Sequence, residues 1–408
     1  WPRGLGRGAA AAAFSVELAQ GSPPRLQLTS DVRGIRLSIP EVSWGKSEQT
    51  EASLNLSATL GDQPNVDRIA LSAPGLAAEG EVRLTENGQL DRLRMNRLRL
   101  GSWLNAPVDL VGRGAGRPVG VEVRGGRIDL RCANLGGGGG QGGPINVNLD
   151  ELQVSDTIAI NNLRGGFTSN GGLSGNFEGL VNGQAAVSGQ VTPSGGRSAI
   201  RIQGGNAGDV FAAAGLLSQA RGGVVDLELL PIGPDGAFDG KLRIRDTRIT
   251  DAPAMAALLN AISVVGLIDE LNGDGIRFSS IDADFRLTPS RITLREASAV
   301  GASMGLSMDG VFVPDTGALQ MQGVISPVYA LNAIGSILTR PGEGLIGFNY
   351  SITGTAKNPQ VFVNPLTALA PGMLRNLFRR SLPDVPLEEG EVAKPKREPP
   401  DLSRHQER

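Results

Sequence analysis

Apolar and polar residues alternate one for one along most of this chain. Arg25-Leu26-Gln27-Leu28 is followed by Ile35-Arg36-Leu37-Ser38-Ile39 and Leu54-Asn55-Leu56-Ser57. Further on come Leu93-Arg94-Met95, Leu98-Arg99-Leu100, Val119-Gly120-Val121-Glu122-Val123 and Ile145-Asn146-Val147-Asn148-Leu149. A period of two puts aliphatic side chains on one face of a sheet and charged ones on the other. Short loops holding Gly, Pro, Asn or Asp separate the runs, as antiparallel hairpins require. A strand–turn–strand unit recurs at Gly80–Met95, Ala283–Gly301 and Gly310–Gly323. Roughly twenty strands at about 4.8 Å spacing make a sheet on the order of 100 Å long, which twists and curls. The predicted fold is mainly β: an elongated, twisted antiparallel sheet curled into an apolar groove, with a few short helices near the C-terminal end.

The pattern breaks in a few places, and these divide the chain. A first groove segment covers residues 1–133. Residues 134–143 (NLGGGGGQGG) are low-complexity glycine, read as a loop within one continuous sheet. A second groove segment, 144–240, contains an alanine-rich helix at 207–220. Residues 241–365 hold an apolar helix at 253–271, and Pro327–Leu338 fits a helix or a loop-helix. An amphipathic basic helix follows at 366–380, then a disordered tail at 381–408 rich in Pro, Glu, Lys and Arg.

The 253–271 segment stands out. Asp251 is placed to N-cap it, Pro253 sits in its first turn, and Asn272-Gly273 ends it. Met255–Ile268 is apolar nearly all round apart from Asn260 and Ser263. That is about 21 Å of helix, too short for a hydrocarbon core of roughly 30 Å. It reads as a plug packed into the groove or as a segment dipping into a membrane. In the last helix Leu374, Leu377 and Phe378 face Arg375, Arg379 and Arg380. Packing on the sheet with solvated arginines, or contact with a membrane surface, fits that arrangement.

Composition narrows the chemistry. There are 58 glycines and only 4 % aromatics, which suits many short strands and turns. With 39 Lys+Arg against 41 Asp+Glu there is no basic stripe for nucleic acid. The lone cysteine, Cys132, leaves the redox compartment open. The chain opens WPRGLGRGAAAAAF, without an initiator methionine or a signal-peptide pattern, and reads as a C-terminal piece of a longer protein with room upstream for an anchor. The only histidine, His405, lies in the tail, so a Ser-His-Asp triad, a Cys-His pair and a histidine metal site are excluded in ordinary form. No cofactor is expected and the chain reads as a non-enzyme.

Three decoys have structural explanations. Gly45-Lys46-Ser47 resembles a phosphate loop, but Pro40 stands where the earlier glycine is needed. Asp269, Asn272 and Asp274 resemble part of a calcium loop, but Leu271 takes a ligand position, so cap and turn roles fit better. Asp282 and Asp284 leave the same face of one strand as solvated charges rather than an acid–base pair. What remains is the apolar face. The few helical segments cannot cover it, and left bare it exceeds the few hundred Å² of exposed apolar patch that a soluble monomer carries. Either the sheet folds on itself and stays dry, or it encloses something apolar. In the second case Leu93, Leu98, Val121, Val123, Leu258, Leu259, Ile262 and Val265 are the contact candidates. The dry alternative is a structural or assembly scaffold for outer-membrane or secreted proteins.

From Gly240 to Pro365 the chain resembles the C-terminal region of AsmA-like envelope proteins, the group that includes YhdP and TamB, and most closely the YhdP branch. The matching features begin with Gly240-Lys241-Leu242-Arg243-Ile244 and the Pro253–Ser263 run. Asn272-Gly273-Asp274-Gly275-Ile276-Arg277-Phe278, Gly301–Ser307 and Gly323-Val324-Ile325-Ser326-Pro327 follow in order. Tyr350–Thr355, Asn358-Pro359-Gln360-Val361 and Val363-Asn364-Pro365 close the series. The resemblance implies a periplasmic protein anchored to the inner membrane through an upstream segment. It further implies a groove conducting phospholipid acyl chains between inner and outer membrane, envelope proteins as partners, and no catalytic residues.

Overall fold

A computed structural model of the chain describes residues 6–61, 64–133, 142–233, 236–262, 265–327 and 346–369. One sheet of 23 strands dominates it. The sheet is assembled almost in chain order. Ala12–Glu17 pairs with Arg25–Ser30, that strand with Ser53–Thr59, and so on to Phe348–Thr355 and Asn358–Asn364. Among the described residues no pairing joins the first strand to the last, so the sheet keeps two edges. The one ring in the pairing is local. Gly120–Arg124 and Arg127–Asp129 lie end to end between Leu104–Val111 and Pro144–Gln153, and both pair with each neighbour. Gly125-Gly126 interrupts what is otherwise one strand. The Gly126 carbonyl accepts from both Asp150 and Glu151 N–H, at 3.0 and 3.1 Å, and a Cβ there would meet the Asn105 carbonyl at 2.3 Å.

The sheet is mostly antiparallel, as expected, and that interrupted strand is the exception. It runs parallel to Pro144–Gln153, while its other partners are antiparallel. A parallel neighbour requires a crossover rather than a hairpin. The glycine-rich stretch lies in this connection, and the sheet continues on both sides of it; residues 134–141 lie outside the described residues.

One correction concerns Ile35–Ile39. It is not part of the long sheet but forms a small one with Gly6–Gly8 and Trp44–Lys46. Lys46 ties it together. The side chain is 4 % exposed, and its ammonium donates to the carbonyls of Val32, Ile35 and Ser47 at 2.8, 2.9 and 3.0 Å. All three protons are used by backbone, so the phosphate-loop likeness is the end of a strand whose lysine is spent on backbone carbonyls.

The helices are shorter than the sequence suggests. The expected helix at 207–220 is α1, Ala207–Ala213. The Asn206 side chain caps it by accepting from Asp209 N–H, and Gly215 at φ 69° donates to Ala212 and ends it. The helix expected at 253–271 is two: α2, Pro253–Ala261, and α3, Val265–Asn272. Ile262, at φ −100° and ψ 3°, leaves the helical path between them. Asp251 is not the cap. It stands at φ 49°, and Ala252 holds the cap position without a side-chain bond. The far end agrees with expectation: Gly273 and Gly275 N–H donate to Asp269 and Glu270 carbonyls, so the acidic cluster there belongs to a helix terminus. Pro365–Leu369 is a 3-10 turn; the helices expected at Pro327–Leu338 and 366–380, and the tail at 381–408, fall largely or wholly outside the described residues.

Buried side chains form two main clusters. One joins Leu76, Leu98, Leu100, Leu104, Val123, Leu149 and Val187, with Trp44, Trp103 and the end of α1 packed on it. The other lies under the helix pair, where Leu258, Leu259, Leu267 and Leu271 meet Ile276, Phe278, Met304, Ile325 and Tyr350. Truncating a fully enclosed leucine leaves a cavity, whereas an exposed one loses little. Leu259→Ala, at 0 % exposure, therefore costs about 2–5 kcal/mol in denaturant unfolding. Leu216→Ala, 52 % exposed, stays within about 0.5 kcal/mol.

Candidate functional site

Following the residues directly opposite one another from strand to strand gives an unbroken apolar row. It starts at Val16, Leu26, Ala58, Val66 and Val82. It runs on through Leu93, Leu110, Val121, Ile145, Phe167 and Gly175. Val191, Ile200, Leu229, Gly240 and Phe285 continue it, and Leu294, Gly310, Met321, Ile352 and Val361 complete it. Every strand of the 23 contributes except the short Arg127–Asp129 and Ala220–Arg221. No position carries a polar side chain. A second row on the same face, from Phe14 and Leu28 through Val108, Val123 and Val147 to Tyr350 and Val363, is equally apolar.

The opposite face is its complement. The row Glu81, Arg94, Asp109, Glu122, Asn146 ends, many strands later, with Lys241, Asp284 and Glu296. Asp109 is fully enclosed by Arg92 and Arg124, at 2.8 and 2.9 Å. Asp282 is bound by Arg245 at 2.8 and 3.1 Å and is committed to an ion pair rather than to acid–base work.

Burial is graded across the apolar face. Near the Leu76 lip, Leu76, Leu100, Leu104, Ile160, Val181 and Ala185 are all buried, covered by Trp44, Trp103 and α1. In the long row most large side chains, among them Val82, Leu93, Leu110, Val121, Ile145, Ile200 and Leu294, are only half-buried. The face is thus a trough shut along one lip and accessible along the other. At the last strands α2 lies on Asn358–Asn364, and the row becomes covered, with Ile352 at 6 %. At the first strand it runs out exposed, with Val16 at 45 %.

The sequence candidates distribute accordingly. Leu93 and Val121 sit in the long row, Val123 in the second, and Leu98 in the neighbouring buried row beside Ala78 and Ala106. Leu93 and Leu98 share a face despite their odd spacing because the Leu90–Leu100 strand shifts register between them. Leu258, Leu259 and Ile262 pack into the cluster under the helices, so they fill the end of the trough rather than line its open part. Val265 opens α3. Leu374, Leu377, Phe378, Arg375, Arg379 and Arg380 lie outside the described residues. The sequence reading missed Leu110, Ile145, Val191, Leu229 and Leu294. Their signal was the same alternation, carried one strand further by register. No helix among the described residues is long and apolar enough to cross a membrane. Comparison of the chain with protein-family models, curated proteins and solved structures finds no match.

The charged face carries a measurable titration. Arg131 donates to Asp129 at 2.6 and 2.9 Å and holds its carboxyl down at about 2, below the ordinary ~3.9. The folded value is depressed, so this pair's stabilisation is complete above pH ~3.9 and is lost as pH falls through about 2. Arg131→Ala moves the Asp129 titration upward toward the ordinary value, read by NMR of the side-chain carboxyl carbon.

Proposed function

We propose that this chain is a length of a non-enzymatic lipid conduit, an apolar trough that holds phospholipid acyl chains and lets them move between the inner and outer membranes of an envelope. In this reading it lies in the periplasm, tethered to the inner membrane through an upstream segment, and serves envelope maintenance. The observation that carries the reading is the long row: apolar at every strand it crosses, yet only partly buried over most of its length. A dry core would shut those side chains in.

The energetics suit a conduit. Each acyl methylene taken from water is worth about 0.8 kcal/mol, so a chain laid along the row is held firmly. The row offers no polar group that would favour one position over the next, and sliding costs little. The charged opposite face keeps the strand edges of the trough in water. The resemblance of residues 240–365 to AsmA-like envelope proteins supports the same assignment.

The test is mass spectrometry of lipid co-purifying with the gently washed protein, with substitutions on both faces of one strand. Wild type carries phospholipid. Val121→Asp and Ile145→Asp lose it while keeping the wild-type circular dichroism spectrum. Asn146→Asp, on the charged face, keeps it. Lipid-free, stably folded wild type overturns the conduit and leaves the dry scaffold. So do Val121→Asp and Ile145→Asp variants that simply unfold, as a buried unpaired carboxylate in a closed core dictates.

A further inference from the structure

The trough holds large aromatic rings among its aliphatic side chains, and three of its phenylalanines stand opposite glycines. Phe167 stands opposite Gly175, Phe177 opposite Gly189, and Phe285 opposite Gly240. The rings lie down on those glycines. A Cβ added at Gly240 would stand 2.2 Å from Phe285 Cζ, and its three nearest atoms would all be ring carbons. At Gly189 it would stand 2.2 Å from Phe177 Cζ; the Phe167 ring lies between Gly175, where a Cβ would stand 2.6 Å from Cδ1 and 2.1 Å from the Gly166 carbonyl oxygen, and Gly165, where it would stand 2.7 Å from Cε2. No side chain occupies that volume, so each ring folds flat along the sheet instead of rising from it.

We infer that these glycines are positioning residues that set the clearance of the trough. Resting on the proposed conduit, this names what keeps the path open where its bulkiest side chains occur. A phenylalanine denied its glycine must leave for another staggered rotamer, and on a pleated surface side chains otherwise stand roughly perpendicular to the sheet. The ring then projects into the space an acyl chain occupies. Laid flat, the same ring paves the trough with apolar surface and covers backbone that glycine leaves bare. Neither Gly240 nor Gly189 has a positive φ; at Gly240 the three atoms nearest an added Cβ are all ring carbons, whereas at Gly189 the Cβ also meets the Arg201 carbonyl at 2.9 Å, a contact that deleting the ring leaves in place.

The experiment compares lipid per protein, by mass spectrometry, in wild type, Gly240→Ala and Gly240→Ala/Phe285→Ala, with thermal unfolding of each. The expected result is loss of lipid in Gly240→Ala with cooperative unfolding retained, and return of lipid in the double variant, which removes the displaced ring. Gly189→Ala with and without Phe177→Ala is the second arm, and it decides the matter should Gly240→Ala not fold. Lipid unchanged in the single variants overturns the inference. So does a double variant that regains nothing, because a glycine needed only for strand packing is not rescued by deleting its partner. Wild type without lipid overturns the conduit itself, and with it the clearance role, and is distinguished by the wild-type sample alone.

Discussion

Register is the constraint on which the other features depend. Side chains in a strand alternate with period two, so a slip of one residue in any ladder turns its apolar set to the charged face. A row that stays apolar from Val16 to Val361 requires that no such slip survive in any intervening ladder. The bulges show how this is achieved. Between Val66 and Ile69, Ile160 and Leu163, and Leu294 and Ala297, the apolar spacing stretches from two to three. In each case the register shifts where the extra residue stands. A bulge bends its strand and sharpens the twist, so the device that keeps the row apolar also curves the sheet that bears it.

With register fixed, the two faces take on separate physical tasks. The charged face satisfies itself through cross-strand pairs such as Arg201–Asp226 and Arg245–Asp282, and exposed pairs of this kind add little to stability while favouring one partner strand over another. The apolar face is covered unevenly, by Trp44, Trp103 and α1 at one lip and by α2 and α3 at one end. Elsewhere its side chains are left partly exposed to solvent. Such surface is costly unless something apolar rests on it, and this asymmetry of covering leads from fold to the proposed conduit.

Much of this was legible in the residues and some was not. Alternation announced the strands, the two faces and residues such as Leu93 and Val121. It is blind to strand direction, because a period of two reads the same in either sense, and so the parallel joint at Pro144–Gln153 was hidden. It also treated Leu93–Met95 and Leu98–Leu100 as two runs where the structure has one bulged strand. The 253–271 segment looked like one helix because its composition is uniform; the break at Ile262 comes from packing back onto the last strands. The Phe–Gly pairs are separated by 8, 12 and 45 residues in sequence and become neighbours only through pairing.

The direction of the ladders has a mechanical consequence. Hydrogen bonds between strands point along the stacking direction of the sheet, so a pull between its first and last strands loads the ladders in series. Each carries the whole force, and the strength of the assembly is that of its weakest joint, as in a chain of links. With Gly120–Arg124 and Arg127–Asp129 counted together as one strand, the joint with the fewest registered pairs along the series is that of Arg197–Gly204 with Val224–Pro231, five from Ile200↔Leu229 to Gly204↔Val225. It is also clasped on both sides. Arg201 binds Asp226 across the charged face, while Val210 of α1 reaches Gly204 and packs with Val225 on the other. Under tension the sheet is reinforced where it has the fewest bonds to lose.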